Sequence, residues 1–342
     1  MSSALFLTAL GGLVLASYPS YQTLQILYGY WGFTSVFLFW GAMIKATRLW
    51  GGDNNQGKAF GFLDGGRGIV AASMGSIGVF VFTIVLTSDI ESASVLERQE
   101  AFRYVILLSS FMVAFIGLLV LIFLRNMEDK NTNFELPLNT LTNIKGVLKN
   151  ESIWLLMLII MCAYVGYKVT DIYSLYASEV MLYDQIEAAE VGALQLYLRP
   201  IVCIAIGLLA DRTKNMFWII FGFVTMLIGA LIFSFGIIKP DMNFIFFLSL
   251  VILAVGTYSI RALYFAVLKE ANVAFALTGT AVGIISVVGY SPDIFAGPIM
   301  GYLLDENPGI IGHQYVYFML VIFSIIGLIA SIRFARLTKT SG

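Results

Sequence analysis

Apolar residues run through this chain in long blocks, and the polar positions between the blocks are brief. Ten blocks follow one another, at roughly 2–18, 22–46, 58–87, 102–125, 152–175, 188–210, 215–238, 243–268, 273–304 and 313–336. The hydrocarbon core of a bilayer takes about 20 apolar residues per spanning helix. Membrane barrels need segments of about ten residues with alternating polarity, and nothing here alternates that way. The pattern predicts an all-α, polytopic membrane protein with ten transmembrane helices. The third and ninth blocks are long and rich in glycine, which membrane helices tolerate because small residues let backbones approach.

Composition agrees with the pattern. Of 342 residues, 59% are hydrophobic and 12% charged, against about 25% charged in soluble domains. The mean hydropathy is +0.88. The formal net charge of −1 leaves no basic footprint for nucleic acid. Cys162 and Cys203 sit inside apolar blocks and read as small packing residues. With one histidine, His313, at a predicted helix end, no His/Cys metal cluster can be assembled and no metal or other cofactor is expected. The opening MSSALFLTALGGLVLA lacks a basic leader, so it reads as a retained span rather than a secretory signal.

Charge sets the expected orientation. One set of helix ends carries Lys45, Arg48, Lys58, Arg125, Lys130, Lys145, Lys149, Arg212, Lys214, Lys269, Arg333, Arg336 and Lys339. The opposite set carries Arg98, Arg103 and Lys239 and is otherwise acidic. Short loops rich in Lys and Arg stay in the cytoplasm, so both termini are expected there, in a multi-pass protein of the cell membrane. The longest polar connection, RNMEDKNTNFELPLNTLTNIKGVLKNES, separates four spans from six. The expected organisation is therefore an incomplete four-span bundle over 1–125, a cytoplasmic linker over 126–151 and a six-helix bundle over 152–342.

An internal repeat accounts for the uneven division. Shifted by 215 residues, AFGFLDGGRGIV (59–70) lies over AFALTGTAVGII (274–285), and spans two to four fall on spans eight to ten. At that offset spans five and six lack partners, so two helices are expected to be missing ahead of Met1.

GLLADRTK (207–214), a Gly-x-x-x-Asp-Arg turn between two spans, resembles the signature loop of the major facilitator superfamily, in its weaker copy between helices 8 and 9. GKAFGFLDGGRGIVAASMGSIG (57–78) is similar to the start of that family's fifth helix. TGTAVGIISVVGYSPDIFAGPIMGYLLD (278–305) is similar to its eleventh, in the style of sugar-phosphate and organic-anion permeases. The resemblance covers the chain as helices 3 to 12 of twelve. It implies a monomeric secondary transporter in which two bundles rock about a central site, coupled to a proton, another ion or an exchanged anion. A shortened relative that senses a solute without moving it is the alternative. An enzyme is not expected, since neither HExxH nor GxSxG occurs.

Ionisable groups within spans are costly, so each is a candidate for function. Tyr164, Tyr167, Lys168 and Asp171 share a helix face: Lys168 either meets an anionic group on the substrate or pairs with Asp171. Gln195 and Arg199 share another face, just before Pro200. Arg199 either binds an anion through its planar fork or makes an interhelical pair, with Asp171 as one partner. Lys45 and Arg261, partners in the repeat, either line a basic vestibule or snorkel to the inner interface. Asp64 and Arg67, three residues apart, read as a local ion pair or a gate. Asp293, after Pro292, either takes up a proton or caps a restarting helix. Asp211 is placed to accept from backbone N–H groups at a helix start, and with Arg212 forms either a latch between helices or a capped turn with topogenic charges. These cations favour a small organic anion, such as a sugar acid, a carboxylate or a phosphorylated sugar.

Overall fold

The structure, a computed structural model, describes residues 1–86, 94–124 and 140–340. Its regular elements are α1 (Ser2–Leu15), α2 (Tyr21–Gly32), α3 (Gly41–Gly51), α4 (Gln56–Val85), α5 (Val95–Phe123), α6 (Thr140–Leu148), α7 (Glu151–Val169), α8 (Tyr173–Glu179), α9 (Gln185–Asp211), α10 (Asn215–Ser234), α11 (Asn243–Leu263), α12 (Thr278–Gly289), α13 (Pro292–Glu306) and α14 (Ile310–Thr340). No strand occurs among the described residues.

Eight helical stretches among the described residues are long and apolar enough to cross a membrane. The two other expected spans take different forms. Span 2–18 is the 14-residue α1. Span 22–46 lies within α2 and α3, which are joined by a π-helical stretch, Phe33–Trp40. Eight of the ten expected spans therefore meet that length and hydropathy. Span 273–304 is broken into α12 and α13 just ahead of Pro292, whose missing N–H interrupts the helical hydrogen-bond ladder although Ser291 itself keeps helical backbone angles. Pro200, by contrast, sits within an unbroken α9. Of the expected linker 126–151, residues 126–139 lie outside the described residues, and 140–148 form α6.

Contacts divide the chain into two compact units, 1–46 with 70–138 and 47–69 with 139–342. In the first, α1 lies along α5: Ser2 Oγ donates to the Gly117 carbonyl at 2.6 Å, and a Cβ on Gly117 would come 3.2 Å from Leu5 Cβ. Trp31 Nε1 donates to the Thr8 carbonyl at 3.0 Å, tying α2 to α1. Ser94 and Glu97 form a capping box that starts α5.

In the second unit small residues set the helix spacing. A Cβ on Gly256 of α11 would fall 2.7 Å from the Gly222 carbonyl oxygen of α10, so these two backbones touch only because both residues are glycine. Tyr176, Phe233, Phe246 and Tyr317 form a buried aromatic cluster, with Phe233 and Tyr317 stacked at 4.3 Å. Asp184 starts α9 with a capping box completed by Glu187. Outward positions remain apolar: Phe244 and Ile294 are each 79% exposed. A surface of this kind suits hydrocarbon rather than water.

Candidate functional site

The site lies within the second unit, where residues 47–69 meet α9, α11 and α12. Glycine makes the approach possible. Gly57, Gly61 and Gly65 form a four-residue-spaced stripe on α4, facing Gly207, Cys203 and Ile204 of α9. A Cβ on Gly61 would lie 2.6 Å from the Cys203 carbonyl oxygen and 2.9 Å from Gly207 Cα. Helices this close leave little room for water, so polar side chains in the seam must satisfy one another.

Asp64 is the centre of that arrangement. It is 5% exposed, and three guanidinium groups converge on it. Arg199 Nη2 donates to Oδ1 at 2.8 Å and Nε to Oδ2 at 3.3 Å. Arg67 Nη1 reaches Oδ1 at 3.3 Å, and Arg261 Nη2 lies 3.8 Å from the same oxygen. The Cys203 thiol donates to Oδ2 at 3.4 Å. The local pair Asp64–Arg67 therefore forms as its spacing suggests, inside a larger cluster. Arg199 does make an interhelical pair, but with Asp64, 135 residues away, rather than with Asp171.

Arg261 is the least satisfied member. It is 5% exposed, and its Nε and Nη1 have no hydrogen-bond partner among the described residues. Tyr167 and Tyr164 lie against its guanidinium, with ring centroids 3.8 and 5.5 Å away. Ring faces offset part of the buried charge but leave the two donors open. Arg261 thus points into the cluster and does not snorkel. Lys45 lies on α3, in the first unit.

Tyr164, Tyr167, Lys168 and Asp171 share one face. The two rings are 5.5 Å apart, and Lys168 Nζ is 3.1 Å from Asp171 Oδ2. Lys168 also lies 3.6 Å from Asp293 Oδ1, whose other oxygen accepts from the Tyr164 hydroxyl at 3.0 Å. Asp293 stands in the first turn of α13, where the helix dipole favours an anion, and no side chain caps that helix by a hydrogen bond. Gln195 donates to the Thr170 carbonyl at 3.1 Å and accepts from the Tyr258 hydroxyl at 3.3 Å.

The Gly-x-x-x-Asp-Arg turn does cap a helix start, though not that of the helix following it. Asp211 Oδ1 accepts from the Gly57 N–H at 2.7 Å and Oδ2 from the Lys58 N–H at 2.8 Å, so the carboxylate closes the N-terminus of α4. Arg212 is exposed. Two further ties join the same segments. Arg48 donates to Thr278 Oγ1 at 2.7 Å and to the Val273 carbonyl at 2.8 Å. Lys269 reaches Asp53 at 2.5 Å, and this partner holds the Asp53 carboxyl below its usual range. A cavity of about 590 Å³ opens beside Asp211, lined in part by Gln56, Lys214, Asn215 and Glu270. Burial raises the Glu270 carboxyl above its usual range, against the hydrogen bond from Asn215 at 3.2 Å.

The sequence reading treated Arg48 only as a topogenic charge and Cys203 as packing. Nothing local marks either as part of the seam. Among the described residues, no group of three His, Cys, Asp or Glu side chains is placed to hold a metal ion.

The chain is 25% identical over 348 residues to the inner membrane protein YihN of Escherichia coli (strain K12), covering 98% of this chain and 79% of that one. It is likewise 25% identical to the inner membrane protein YqcE of the same organism, over 93% of this chain and 74% of that one. Among solved structures it is similar to the transporter FucP in its outward conformation, with a TM-score of 0.74 at 15% identity, covering 97% of this chain and 82% of FucP. A bacterial homologue of the iron transporter ferroportin, in an outward-facing state, matches with a TM-score of 0.67 at 12% identity, over 98% of this chain and 82% of that one. The family model described as Major Facilitator Superfamily matches residues 1–292, and the chain belongs to that superfamily.

Proposed function

We propose that this protein is a secondary transporter of the cell inner membrane that moves a small organic solute bearing an anionic group. The observation that carries the reading is Arg261, a buried guanidinium with two open donors. It belongs to a group of three arginines that share the single carboxylate of Asp64. Buried charge of one sign is costly without a counter-charge. An incoming carboxylate or phosphate would accept from Arg261 through a planar, two-point contact. Tyr164 and Tyr167 would line the same place with hydroxyls and ring surface.

The seam supports alternating access. Its polar ties are side-chain hydrogen bonds and ion pairs, which can break and reform, and its glycine faces pack without interlocking side chains. On the orientation set by Lys and Arg, these ties lie on the cytoplasmic side, with both termini. They then form an inner gate, shut in the arrangement described. Asp64, Arg67, Asp211 and Arg48 hold it, and Lys168, Asp171 and Asp293 form a second, separate charge group within reach of the solute.

Uptake into proteoliposomes of labelled gluconate and a labelled hexose phosphate, with a neutral hexose as the control, tests the reading. Saturable uptake of an anion is expected. Losing one charge-assisted hydrogen bond costs about 1.5–3 kcal/mol, and glutamine keeps one amide group to donate, so Arg261→Gln should weaken the apparent affinity by about tenfold to a hundredfold. Arg261→Lys keeps the charge but not the fork, and should fall between. Uptake of the neutral hexose with Arg261→Gln fully active would overturn the anion assignment.

A further inference from the structure

The charge group beside Lys168 lies one tyrosine away from the arginine cluster, and its balance runs the other way. Lys168 Nζ stands between two carboxylates, 3.1 Å from Asp171 Oδ2 and 3.6 Å from Asp293 Oδ1. Among the described residues, this group joins one cation to two anions, whereas the other joins three cations to the one anion of Asp64. Tyr164 links the two groups. Its ring centroid is 5.5 Å from the Arg261 guanidinium, and its hydroxyl donates to Asp293 Oδ2 at 3.0 Å. Two further rings brace it: those of Tyr167 and Tyr290 lie 5.5 and 4.9 Å away, and the Tyr290 hydroxyl is 3.2 Å from that of Tyr264.

Folding does not account for the acidic excess. Half-exposed ion pairs stabilise a protein little, and one carboxylate would suffice for Lys168. Charge kept within a span reflects what the span must handle. The excess is also open to a visitor, since the Asp171 and Asp293 side chains are about half exposed. At the other end Arg261 holds Nε and Nη1 without partners. A solute that satisfies both ends carries a negative acceptor and, a few bonds away, a positive donor. Lys168 shows which donor fits, because its own ammonium already reaches both carboxylates.

We propose that the solute is a zwitterion, with its carboxylate or phosphate on Arg261 and a protonated amine against Asp171 and Asp293. The proposal rests on the transporter reading above and narrows its substrate to an amino-bearing organic anion, such as an amino-sugar acid or an amino-sugar phosphate. Tyr164 sets the separation of the two charges, and its ring lies along the part of the solute between them. Lys168 holds the two carboxylates when no solute is bound and competes with the amine for them. A hydroxylated anion of the same length would reach Arg261 yet leave two carboxylates sharing one cation.

Matched pairs of ligands test this. Gluconate and glucosaminate share a chain and a carboxylate and differ by one amine, and glucose phosphate and glucosamine phosphate differ in the same way. Binding to the protein in nanodiscs is read from the rise of the thermal midpoint with ligand concentration. We expect the amino member of each pair to bind about threefold to fivefold more tightly, the factor that an ion pair to a half-exposed carboxylate supplies. The preference should shrink in high salt. Asp293→Asn and Asp171→Asn should each bring the ratio toward one. Lys168→Met, which removes the competing ammonium, should widen it. The ratio compares two ligands on one folded protein, so a less stable variant still reports it, and either asparagine variant serves should the other not fold. Failure of both amino members to bind better than their partners would overturn the proposal, as would a preference that neither asparagine variant reduces. Uptake of the four labelled compounds into proteoliposomes separates this outcome from the transporter reading. Saturable uptake of gluconate with no advantage for glucosaminate sinks the zwitterion alone. The expected binding preference with no uptake of any of the four upholds the site and sinks the transporter reading instead.

Discussion

Asp64 on α4 and Arg199 on α9 hold each other at two points, Nη2 to Oδ1 at 2.8 Å and Nε to Oδ2 at 3.3 Å, with both residues buried. Removing one partner of such a pair leaves the other charge desolvated and alone, which costs about 3–5 kcal/mol. Here the abandoned groups would include Arg261. Asp64→Asn is therefore expected to lower the thermal midpoint in detergent sharply. Adding Arg199→Gln should restore part of the loss, since it removes one of the stranded cations. An equal midpoint for Asp64→Asn and the unaltered protein would show that the pair is not closed in the bilayer protein.

Cys203 offers a built-in reporter of the seam. Its thiol lies against Asp64 and is fully buried, and the other cysteine, Cys162, can be replaced by serine. Gly61→Ala and Gly207→Ala each push a methyl group into the facing backbone, and both should raise the rate of maleimide labelling at Cys203. Gly66→Ala is the matched control, because a Cβ there meets nothing within 4 Å. Similar labelling in all three variants would contradict the close approach of α4 and α9.

Asp211 should act on the same reporter from a distance. Loss of a carboxylate cap costs about 1 kcal/mol, within a range of 0.5–2. One kcal/mol changes a two-state ratio about fivefold. Asp211→Ala is thus expected to increase Cys203 labelling by about that factor, and Arg212→Ala, at an exposed position, to leave it near the starting value.

Glu270 gives the stability a pH dependence of defined sign. Its folded carboxyl titrates above the usual range because burial disfavours the charge. The folded state therefore binds the proton more tightly than the unfolded chain does, and this contribution is complete below the unfolded value of about 4.3. As pH rises through the folded value the contribution is lost. Melting measured from pH 4 to 8 should show that decline in the unaltered protein, and Glu270→Gln should flatten it. A decline of the same size in the variant would assign it to another group.

Local spacing in the sequence carried much of this site, and long-range pairing carried almost none. The face made by Tyr164, Tyr167, Lys168 and Asp171 follows from helical periodicity, as does the Asp64–Arg67 pair. Which carboxylate meets Arg199 depends on how near α4 comes to α9, and that is set by glycines whose partners cannot be read from one sequence. The same holds for Arg48, an ordinary loop-end arginine until α12 is placed beside it. Asp211 is instructive because the chemistry was legible and the address was not. A carboxylate suited to a helix start is recognisable in the turn, yet it serves α4, 154 residues earlier, instead of α10. The form of one span was hidden for a further reason. A π-helical stretch has no hydropathy signature, so 22–46 reads as one uniform block while its backbone changes pitch at Phe33.

The Asp211 contact has an unequal susceptibility to mutation. Its acceptor is a side chain, but its donors at Gly57 and Lys58 are main-chain amides that every residue type except proline supplies. Drift at position 58 leaves the bond intact, whereas a single base change can abolish the carboxylate. Between positions 58 and 211, variation in how firmly these helices close should then be found at 211.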